Sequence, residues 1–272
     1  MAARRMRLDA ELVRRKMCDS RERARDLIAA SRVIVNGVAA SKPATQVEPT
    51  TSIALTASDE PDWASRGAHK LLGALDAFDV VVDGARCLDA GASTGGFTDV
   101  LLTRGAGRVE AVDVGYGQLV WRLRSDDRVG VHDKTNVRSL TPEDIGGQVD
   151  LVVSDLSFIS LALVLPALAR CARPEGVLLP MVKPQFEVGR DRVGQGGVVR
   201  DPALRIEAVT EVARVAAENG LEAMDCVASP LPGPSGNVEY FLHLRKVDAG
   251  RTVECGDSAV AAIRQAVEEG PR

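Results

Sequence analysis

The 272-residue sequence predicts an α/β protein with an open, mostly parallel sheet, an antiparallel last strand and a small amino-terminal α+β domain. From Gly67 onward, apolar strand-like segments alternate with amphipathic helix-like segments. This alternation is typical of a parallel sheet covered by helices on both faces. Before that point, short helical patterns are followed by brief strands and turns. We expect domains at residues 1–58 and 67–248, a linker at 59–66 and a tail at 249–272.

The amino-terminal segment is expected to form two helices and a small sheet. Helical patterns cover residues 8–16 and 21–30, and Ser20 is placed to cap the second helix. Asn36 and Gly37 stand between two apolar runs, which is a strong signal for a hairpin turn. The short strands and turns that follow complete this small domain.

The later segments alternate between strands and helices. Strands are predicted at residues 85–91, 108–115, 129–132, 149–156 and 176–184, and helices at residues 68–78, 96–105, 118–126, 161–172 and 201–220. Two final strands, at residues 221–230 and 237–246, face each other and are expected to add antiparallel at one edge of the sheet. A last helix is predicted at residues 259–267, with Ser258 placed as its cap.

Charge is distributed unevenly along the chain. Residues 1–42 contain 11 Lys/Arg and 5 Asp/Glu, a net charge of +6. The remainder, with 23 Lys/Arg and 33 Asp/Glu, carries −10. A basic amino-terminal segment followed by an acidic remainder favours a polyanionic partner at one end of the chain, although a solvated charged surface would give the same charge count.

Composition excludes several classes of protein. The five cysteines are scattered without a CxxC pair, which argues against a disulfide framework or a zinc site and favours the cytoplasm. The three histidines are also dispersed, so no metal site is expected. No apolar run reaches the roughly 20 residues that a membrane helix requires. We therefore expect neither a metal nor a membrane as a partner.

The loop after the first strand of the parallel sheet predicts a nucleoside site. The segment "DAGASTGGF", residues 89–97, leads from the strand to a helix amino terminus. Ser93 stands where the dinucleotide fingerprint has its second glycine, which disfavours a nicotinamide-dependent dehydrogenase. Asp113 lies 22 residues after Gly91, a spacing suited to ribose hydroxyls. S-adenosylmethionine fits these features because it has an adenosine and no phosphate.

The expected contacts of this cofactor follow from the loop and the strand ends. They comprise Gly91, Ser93, Gly95, Gly96 and Asp113, with Asp133 or Asn136 near the adenine and Asp155 at the same crevice.

Four further polar residues are expected to converge there. Lys70 lies in the helix before the first strand, Asp155 and Lys183 end the fourth and fifth strands, and Glu239 lies in the last strand. A lysine at the end of an apolar strand is costly to bury unless it is paired. A single lysine could still extend its amine to water. Four such residues at one crevice favour a catalytic group.

These residues match the K-D-K-E tetrad of the FtsJ-type ribose 2′-O-methyltransferases. The segment "RLDAELVRRKMCDSRERARDLIAASRVIVNGVAASKPAT" resembles the alpha-L RNA-binding motif. With "SRGAHKL", "LDAGASTGGFT", "DLSFISL", "VKPQFE" and "GPSGNVEYF", the chain as a whole resembles the TlyA family of rRNA cytidine-2′-O-methyltransferases. The resemblance implies a Rossmann-like class I methyltransferase sheet, S-adenosylmethionine as cofactor, and ribosomal RNA or ribosomal subunits as substrate. In some members it also implies a link to antibiotics that bind the ribosome.

The resemblance also implies roles for individual residues. Phosphate contacts are expected at Arg7, Arg21 and Lys42. From the residues themselves, Arg66 is expected to extend the RNA surface, and the glycine-rich loop at residues 186–201, which carries Arg190 and Arg192, is expected to be a mobile lid that RNA orders. We expect Lys183 to act as the general base, since burial and the nearby Lys70 disfavour the charged form of an amine. Asp155 would orient it, while Lys70 and Glu239 would hold the ribose.

Two alternative functions stay open from the sequence. The chain could be a haemolysin-like membrane-active protein or a non-catalytic RNA-binding protein. The sequence also leaves open the modified nucleotide, the ribosomal subunit and the role of Trp63 in the linker. The oligomeric state is open as well, with a monomer favoured.

Overall fold

The structure is a computed structural model. It describes residues 5–18, 20–56, 61–233, 235–248 and 250–271, without the side chains of Glu22 and Arg190. The chain forms two units, residues 1–66 and residues 67–272.

The first unit packs two helices against short antiparallel strands. Its elements are β1 (Met6–Arg7), α1 (Leu8–Arg14), α2 (Arg21–Ala29), β2 (Val33–Val35), β3 (Val38–Ala39), β4 (Gln46–Val47) and β5 (Ile53–Leu55). β2 pairs with β3 on one side and with β5 on the other, and β1 pairs with β4. A small core of buried side chains, which includes Leu8, Leu12 and Ile28, holds the unit together.

Two local predictions for this unit are confirmed. The Ser20 hydroxyl accepts a hydrogen bond from the Arg23 amide at 3.1 Å and so caps α2. Asn36 and Gly37 both have positive φ, at 50° and 84°. This is the backbone of a two-residue hairpin turn, and it joins β2 to β3.

The second unit is a seven-stranded sheet with helices. Its strands are β6 (Arg86–Ala90), β7 (Arg108–Val112), β8 (Val129–His132), β9 (Val149–Ser154), β10 (Ala172–Val182), β11 (Leu221–Ala228) and β12 (Tyr240–Lys246). Its helices are α3 (Gly67–Ala77), α4 (Gly96–Thr103), α5 (Trp121–Arg124), α6 (Leu165–Cys171), α7 (Pro184–Glu187), α8 (Pro202–Glu218) and α9 (Asp257–Glu269). Apolar residues of β6, β9 and β10 and of helices α6, α8 and α9 form the main core.

The strand order is β11-β12-β10-β9-β6-β7-β8, and β12 runs antiparallel to both of its neighbours. The predicted mostly parallel sheet with an antiparallel last strand is therefore confirmed. The last pair also adds antiparallel at one edge of the sheet, as expected. β11 takes the outer position after the α8 crossover, and β12 returns between β11 and β10.

Three details differ from the predictions. The helix expected at residues 118–126 is only α5, because the carboxylates of Asp113 and Asp133 accept the backbone N–H groups of Gly115 and Gly117 and hold the preceding segment in turns. Ser258 lies inside α9, whose first turn follows Gly256, so it is not the cap. Glu239 immediately precedes β12 rather than lying within it.

The central strands end side by side where the polar residues were expected. Ala90 of β6 is opposite Ser154 of β9, and Ser154 is opposite Pro180 of β10. The residues that follow these strands therefore emerge at the same edge of the sheet.

The cap of α2 offers a direct test of the first unit. We expect Ser20→Ala to lower the opening free energy of the first turn of α2 by about 1 kcal/mol, because the Arg23 amide loses its acceptor. Amide hydrogen exchange in the full chain measures this change. Ser41→Ala is a suitable control, since Ser41 is exposed. Equal protection of the α2 amides in the Ser20 variant and the wild type would contradict the assignment.

Candidate active site

A buried lysine and a carboxylate meet at the ends of β9 and β10. The Lys183 Nζ lies 2.6 Å from Asp155 Oδ1 and donates to Ser157 Oγ at 2.9 Å. The Lys183 side chain is 8% exposed and that of Asp155 is 25% exposed. Burial of an amine requires such partners, so the pair is held as an ionic hydrogen bond in a partly dry site.

A second pair joins α3 to the segment before β12. The Lys70 Nζ donates to Glu239 Oε2 at 2.5 Å, with 11% and 1% of the two side chains exposed. The other oxygen, Oε1, lies so close to Gly233 that a Cβ there would stand 2.6 Å from it. A Cβ at position 233 would therefore displace the Glu239 carboxylate from this place.

Each lysine has its own carboxylate within 2.6 Å. Lys183 immediately precedes the single turn of α7. Pro184 occupies the first helical position, where a backbone N–H would have no partner within the helix.

The glycine-rich loop is shaped by two glycines in different ways. Gly91 has a φ of 94°, and a Cβ on it would lie 2.8 Å from the carbonyl oxygen of Asp155. Gly95 has a φ of 101°, and its Cβ would meet the side chains of Leu119 and Leu123. The sequence predicted open backbone at Gly95 and Gly96. Instead, Gly95 packs against these leucines, and Gly96 is the buried first residue of α4.

Asp113 holds the rim of this loop. Its Oδ2 accepts the Ser93 amide at 2.8 Å, and its Oδ1 accepts the Gly115 amide at 2.7 Å. Ser93 itself has a positive φ of 48°. Because each carboxylate oxygen has more than one acceptor site, Asp113 retains capacity for ribose hydroxyls.

Asp89, at the end of β6, is fully buried. Its Oδ2 accepts the Thr98 hydroxyl at 2.7 Å, whereas its Oδ1 has no partner among the described atoms. Burial raises the pKa of Asp89 to about 7, although the Thr98 hydrogen bonds oppose this shift. An unpaired buried acceptor beside the glycine-rich loop suits a site for a positively charged ligand.

The two residues expected near the adenine are engaged locally. Asp133 Oδ2 accepts from Arg124 at 2.8 Å, and this hydrogen bond holds the pKa of Asp133 below its usual range. The Asn136 Oδ1 accepts the Arg138 amide at 3.0 Å and caps a short 3₁₀ turn. Asn136 is exposed, so its side-chain N–H groups face solvent.

The basic residues of the first unit surround a buried carboxylate. Asp9 accepts hydrogen bonds from Arg7 and Arg21, and the Arg25 guanidinium lies 3.6 Å from it. The side chains of these arginines are 43%, 51% and 57% exposed, whereas that of Asp9 is 0% exposed. The Arg7 hydrogen bond in particular holds the pKa of Asp9 well below its usual range. Three cations on one carboxylate leave a net positive surface.

The other basic residues predicted to meet RNA have varied surroundings. Lys42 is exposed, and Arg66 forms an ion pair with Asp26 at 2.9 Å. Arg192 pairs with Glu207 through two hydrogen bonds, so a phosphate there would compete with that carboxylate. The side chain of Arg190 lies outside the part of the chain that the structure describes.

Sequence reasoning missed three side chains at the site. Ser157 binds Lys183, and Glu187 binds the loop after β9. Asn237, two residues before Glu239, accepts the Val199 amide at 2.9 Å. All three lie in the quoted segments "DLSFISL", "VKPQFE" and "GPSGNVEYF", but their partners are distant in sequence.

The described residues contain neither a cluster of metal ligands nor a membrane-spanning helix. No group of three or more His, Cys, Asp or Glu side chains among them is arranged to hold a metal ion. No helix in the described part of the chain is long and apolar enough to span a membrane.

Comparison with known proteins shows what the chain is similar to. The FtsJ-like methyltransferase family matches residues 63–246, and the S4 domain matches residues 6–53. The chain is 58% identical over 270 residues to the 16S/23S rRNA (cytidine-2′-O)-methyltransferase TlyA of Mycobacterium tuberculosis, covering 99% of this chain and 100% of that protein.

Two further relatives have haemolysin names. Hemolysin A of Brachyspira hyodysenteriae is 36% identical over 239 residues, covering 88% of this chain and 99% of that protein. A solved structure described as a hemolysin from Streptococcus thermophilus superposes with a TM-score of 0.77 at 36% identity, covering 98% of this chain and 96% of that chain. The likeness therefore extends over both units.

The close approach of Gly91 to Asp155 predicts that an alanine substitution lowers stability more at Gly91 than at Gly117. We expect Gly91→Ala to destabilise the protein by about 2–3 kcal/mol, because left-handed backbone strain is joined by a collision with Asp155. Gly117→Ala is the matched control, since Gly117 has a φ of 65° and nothing within 4 Å of an added Cβ. It should cost only about 1 kcal/mol. Urea denaturation compares them, and equal losses would contradict the packing argument.

The buried carboxyl of Asp89 predicts a pH-dependent stability. Its pKa is about 7 in the folded protein, above the ordinary value of 3.8, so the folded state retains a proton that the unfolded chain releases. Stability is highest below the unfolded pKa and falls as pH rises through 7. We expect Asp89→Asn to remove this loss, so that the variant gains about 3 kcal/mol on the wild type between pH 5 and pH 8.

Urea denaturation followed by circular dichroism measures this difference. Asp127→Asn, at an exposed aspartate, controls for the change of net charge. A parallel pH dependence in the wild type and Asp89→Asn would contradict the raised pKa.

Proposed function

Because the chain belongs to the TlyA family of FtsJ-like methyltransferases, we propose that it methylates the ribose 2′-hydroxyl of a cytidine in ribosomal RNA with S-adenosylmethionine as donor. The observation that carries this proposal is the buried Lys183–Asp155 pair beside the glycine-rich loop. A base next to a nucleoside site is what transfer to a hydroxyl group requires.

The residues at the end of β6 and β7 fit S-adenosylmethionine. The backbone at Gly91 and Ser93 and the carboxylate of Asp113 suit its ribose, and the unpaired Asp89 oxygen suits its positive charge. Gly95 and Gly96 would contribute through the helix turn that they begin, with Asp133 or Asn136 towards the adenine. When bound, this cofactor supplies a methyl group that its sulfonium already activates, so no metal is required.

Lys183 is proposed to take the proton of the ribose hydroxyl. It can do so only as a neutral amine. Asp155 fixes the direction of the amine through its 2.6 Å contact. This alignment lets proton transfer accompany attack by the hydroxyl oxygen.

The Lys70–Glu239 pair is proposed to hold the ribose. Its hydrogen bond keeps the lysine head at a fixed place, because Glu239 is buried and lies against Gly233. The other N–H groups of the Lys70 ammonium are then oriented by its hydrogen bond to Glu239 rather than by solvent.

The first unit is proposed to bind RNA through its basic surface. Arg7, Arg21 and Arg25 share Asp9, which orders their guanidinium groups but neutralises only one charge of three. Ordered, half-exposed guanidinium groups suit phosphate oxygens. Lys42, Arg66, Arg190 and Arg192 would extend this RNA surface.

Two considerations favour this function over the alternatives. The rRNA methyltransferase relative is 58% identical, whereas the relative named Hemolysin A is 36% identical. A protein that only bound RNA would have no use for two buried lysine–carboxylate pairs at the end of the sheet, which are costly to maintain. Action on ribosomal RNA would place the protein in the cytoplasm.

Methyl transfer to separated ribosomal subunits tests the substrate. We expect label from tritiated S-adenosylmethionine to enter RNA of the small subunit, the large subunit or both, because the TlyA relative is named for both. Bovine serum albumin and transfer RNA serve as controls for unspecific transfer. Absence of label from both subunits with the folded full-length protein would refute the proposed function.

Two substitutions of Lys183 separate base catalysis from charge. We expect both Lys183→Ala and Lys183→Arg to lower the single-turnover rate by about 100-fold or more, because neither side chain can accept the proton at neutral pH. Cofactor affinity, measured by calorimetry, should stay within about twofold for the arginine variant, which keeps the positive charge. An active Lys183→Arg enzyme would show that Lys183 acts through its charge and is not the base.

A further inference from the structure

Two loops lie side by side at the ends of β9 and β10. The first, residues 155–161, carries Asp155 and Ser157, and the second, residues 183–187, carries Lys183 at its start. The two loops come together because β9 and β10 are parallel neighbours in the sheet. The Lys183 contacts with Asp155 and Ser157 join them at one end.

Glu187 joins the same two loops at their other end. Its Oε2 accepts the Ser160 hydroxyl at 2.6 Å, and its Oε1 accepts the Leu161 amide at 2.9 Å. Burial raises the pKa of Glu187, although the hydrogen bonds from Ser160 and Leu161 counteract this. Both oxygens of the carboxylate are therefore used to hold the first loop.

The single turn of α7 separates these two contacts. Lys183 immediately precedes α7 with an extended backbone, and Glu187 is the last residue of the helix. Between the two contacts, the rings of Phe158 and Phe186 lie with their centroids 5.3 Å apart. Three contacts thus join one turn of helix to one loop.

We propose that Glu187 is a positioning residue for Lys183: by binding Ser160 and the Leu161 amide, it holds the loop that places Asp155 and Ser157 against the lysine amine. The inference rests on the proposed function, because it assigns a use to the geometry of the same lysine. Glu187 touches neither Lys183 nor Asp155 directly in the described contacts. It acts through the backbone of the loop.

The chemistry of the two contacts selects the variants for a test. Glu187→Ala removes both acceptors. Glu187→Gln keeps the carbonyl oxygen for the Leu161 amide and presents an N–H₂ group that the Ser160 hydroxyl can accept, so the loop contact is preserved without charge. Glu211→Ala is the matched control, since Glu211 lies on α8 and pairs only with Arg214 in the contacts recorded.

Two measurements on the full-length protein decide between positioning and mere structural support. Hydrogen exchange of peptides that cover residues 155–161 reports whether the loop is held, independently of any activity. Single-turnover methyl transfer at saturating cofactor and subunits reports the alignment of the base. Calorimetry of cofactor binding shows whether the remainder of the site is intact.

We expect Glu187→Ala to speed exchange in the loop and to lower the single-turnover rate by about 10- to 100-fold, because small displacements of a reacting group are costly. Cofactor affinity should change by less than about twofold, and Glu187→Gln should recover the rate to within about threefold of the wild type. Glu211→Ala should match the wild type in every measurement.

Unchanged exchange in Glu187→Ala would overturn the proposal, as would faster exchange with an unchanged rate. A rate that Glu187→Gln does not restore, although the loop is again protected, would also overturn it, because the charge and not the loop would then matter. A wild-type protein that transfers no methyl group would refute the proposed function instead, and the exchange comparison would still show whether Glu187 holds the loop.

Discussion

The ion pair between Lys183 and Asp155 is the contact on which the rest of the site depends. A buried ammonium group is tolerated only with a close partner, and Asp155 supplies it at 2.6 Å. Asp155 also contacts the glycine-rich loop, since its carbonyl oxygen lies 2.8 Å from the place of a Cβ on Gly91 and its amide donates to the Ala90 carbonyl at 3.3 Å. One residue therefore connects the proposed base to the loop that would bind the methyl donor.

Buried carboxylates also hold basic side chains in the first unit. Asp9 and Glu11 are buried acidic residues of α1, and each of them binds more than one arginine. The hydrogen bonds from Arg14 and Arg15 hold the pKa of Glu11 at about 2, with Arg14 as the larger cause. These acids order the arginines without cancelling their charge. The arginines bound to Asp9 and Glu11 thus present positive charge from side chains whose directions are set.

Much of the fold could be predicted from the sequence because its signals are local. Alternation of apolar and amphipathic segments depends on neighbouring residues, as do the Ser20 cap and the Asn36-Gly37 turn. The insertion of β12 between β10 and β11 could not be predicted, because strand patterns show that a strand exists and not which strand it pairs with. Ser258 failed as a cap for a related reason, since the helix begins before it at a residue with no capping side chain.

The sequence could predict the candidate residues of the site but not their pairing. It indicated Lys70, Asp155, Lys183 and Glu239, whereas the structure shows that Lys183 pairs with Asp155 and Lys70 pairs with Glu239. Glu187 was missed because its partners lie 26 and 27 residues away and contact it only through the parallel neighbours β9 and β10. The sequence of the motif does not show what the Glu187 carboxylate binds, because its partners depend on the pairing of β9 with β10.

The identity of the methylated nucleoside tests the central claim most directly. Ribosomal RNA labelled by the wild-type protein would be digested to nucleosides and separated by chromatography with mass detection. The proposed function predicts that the label is recovered as 2′-O-methylcytidine. Label recovered in a base-methylated nucleoside, or in a ribose other than that of cytidine, would contradict the account.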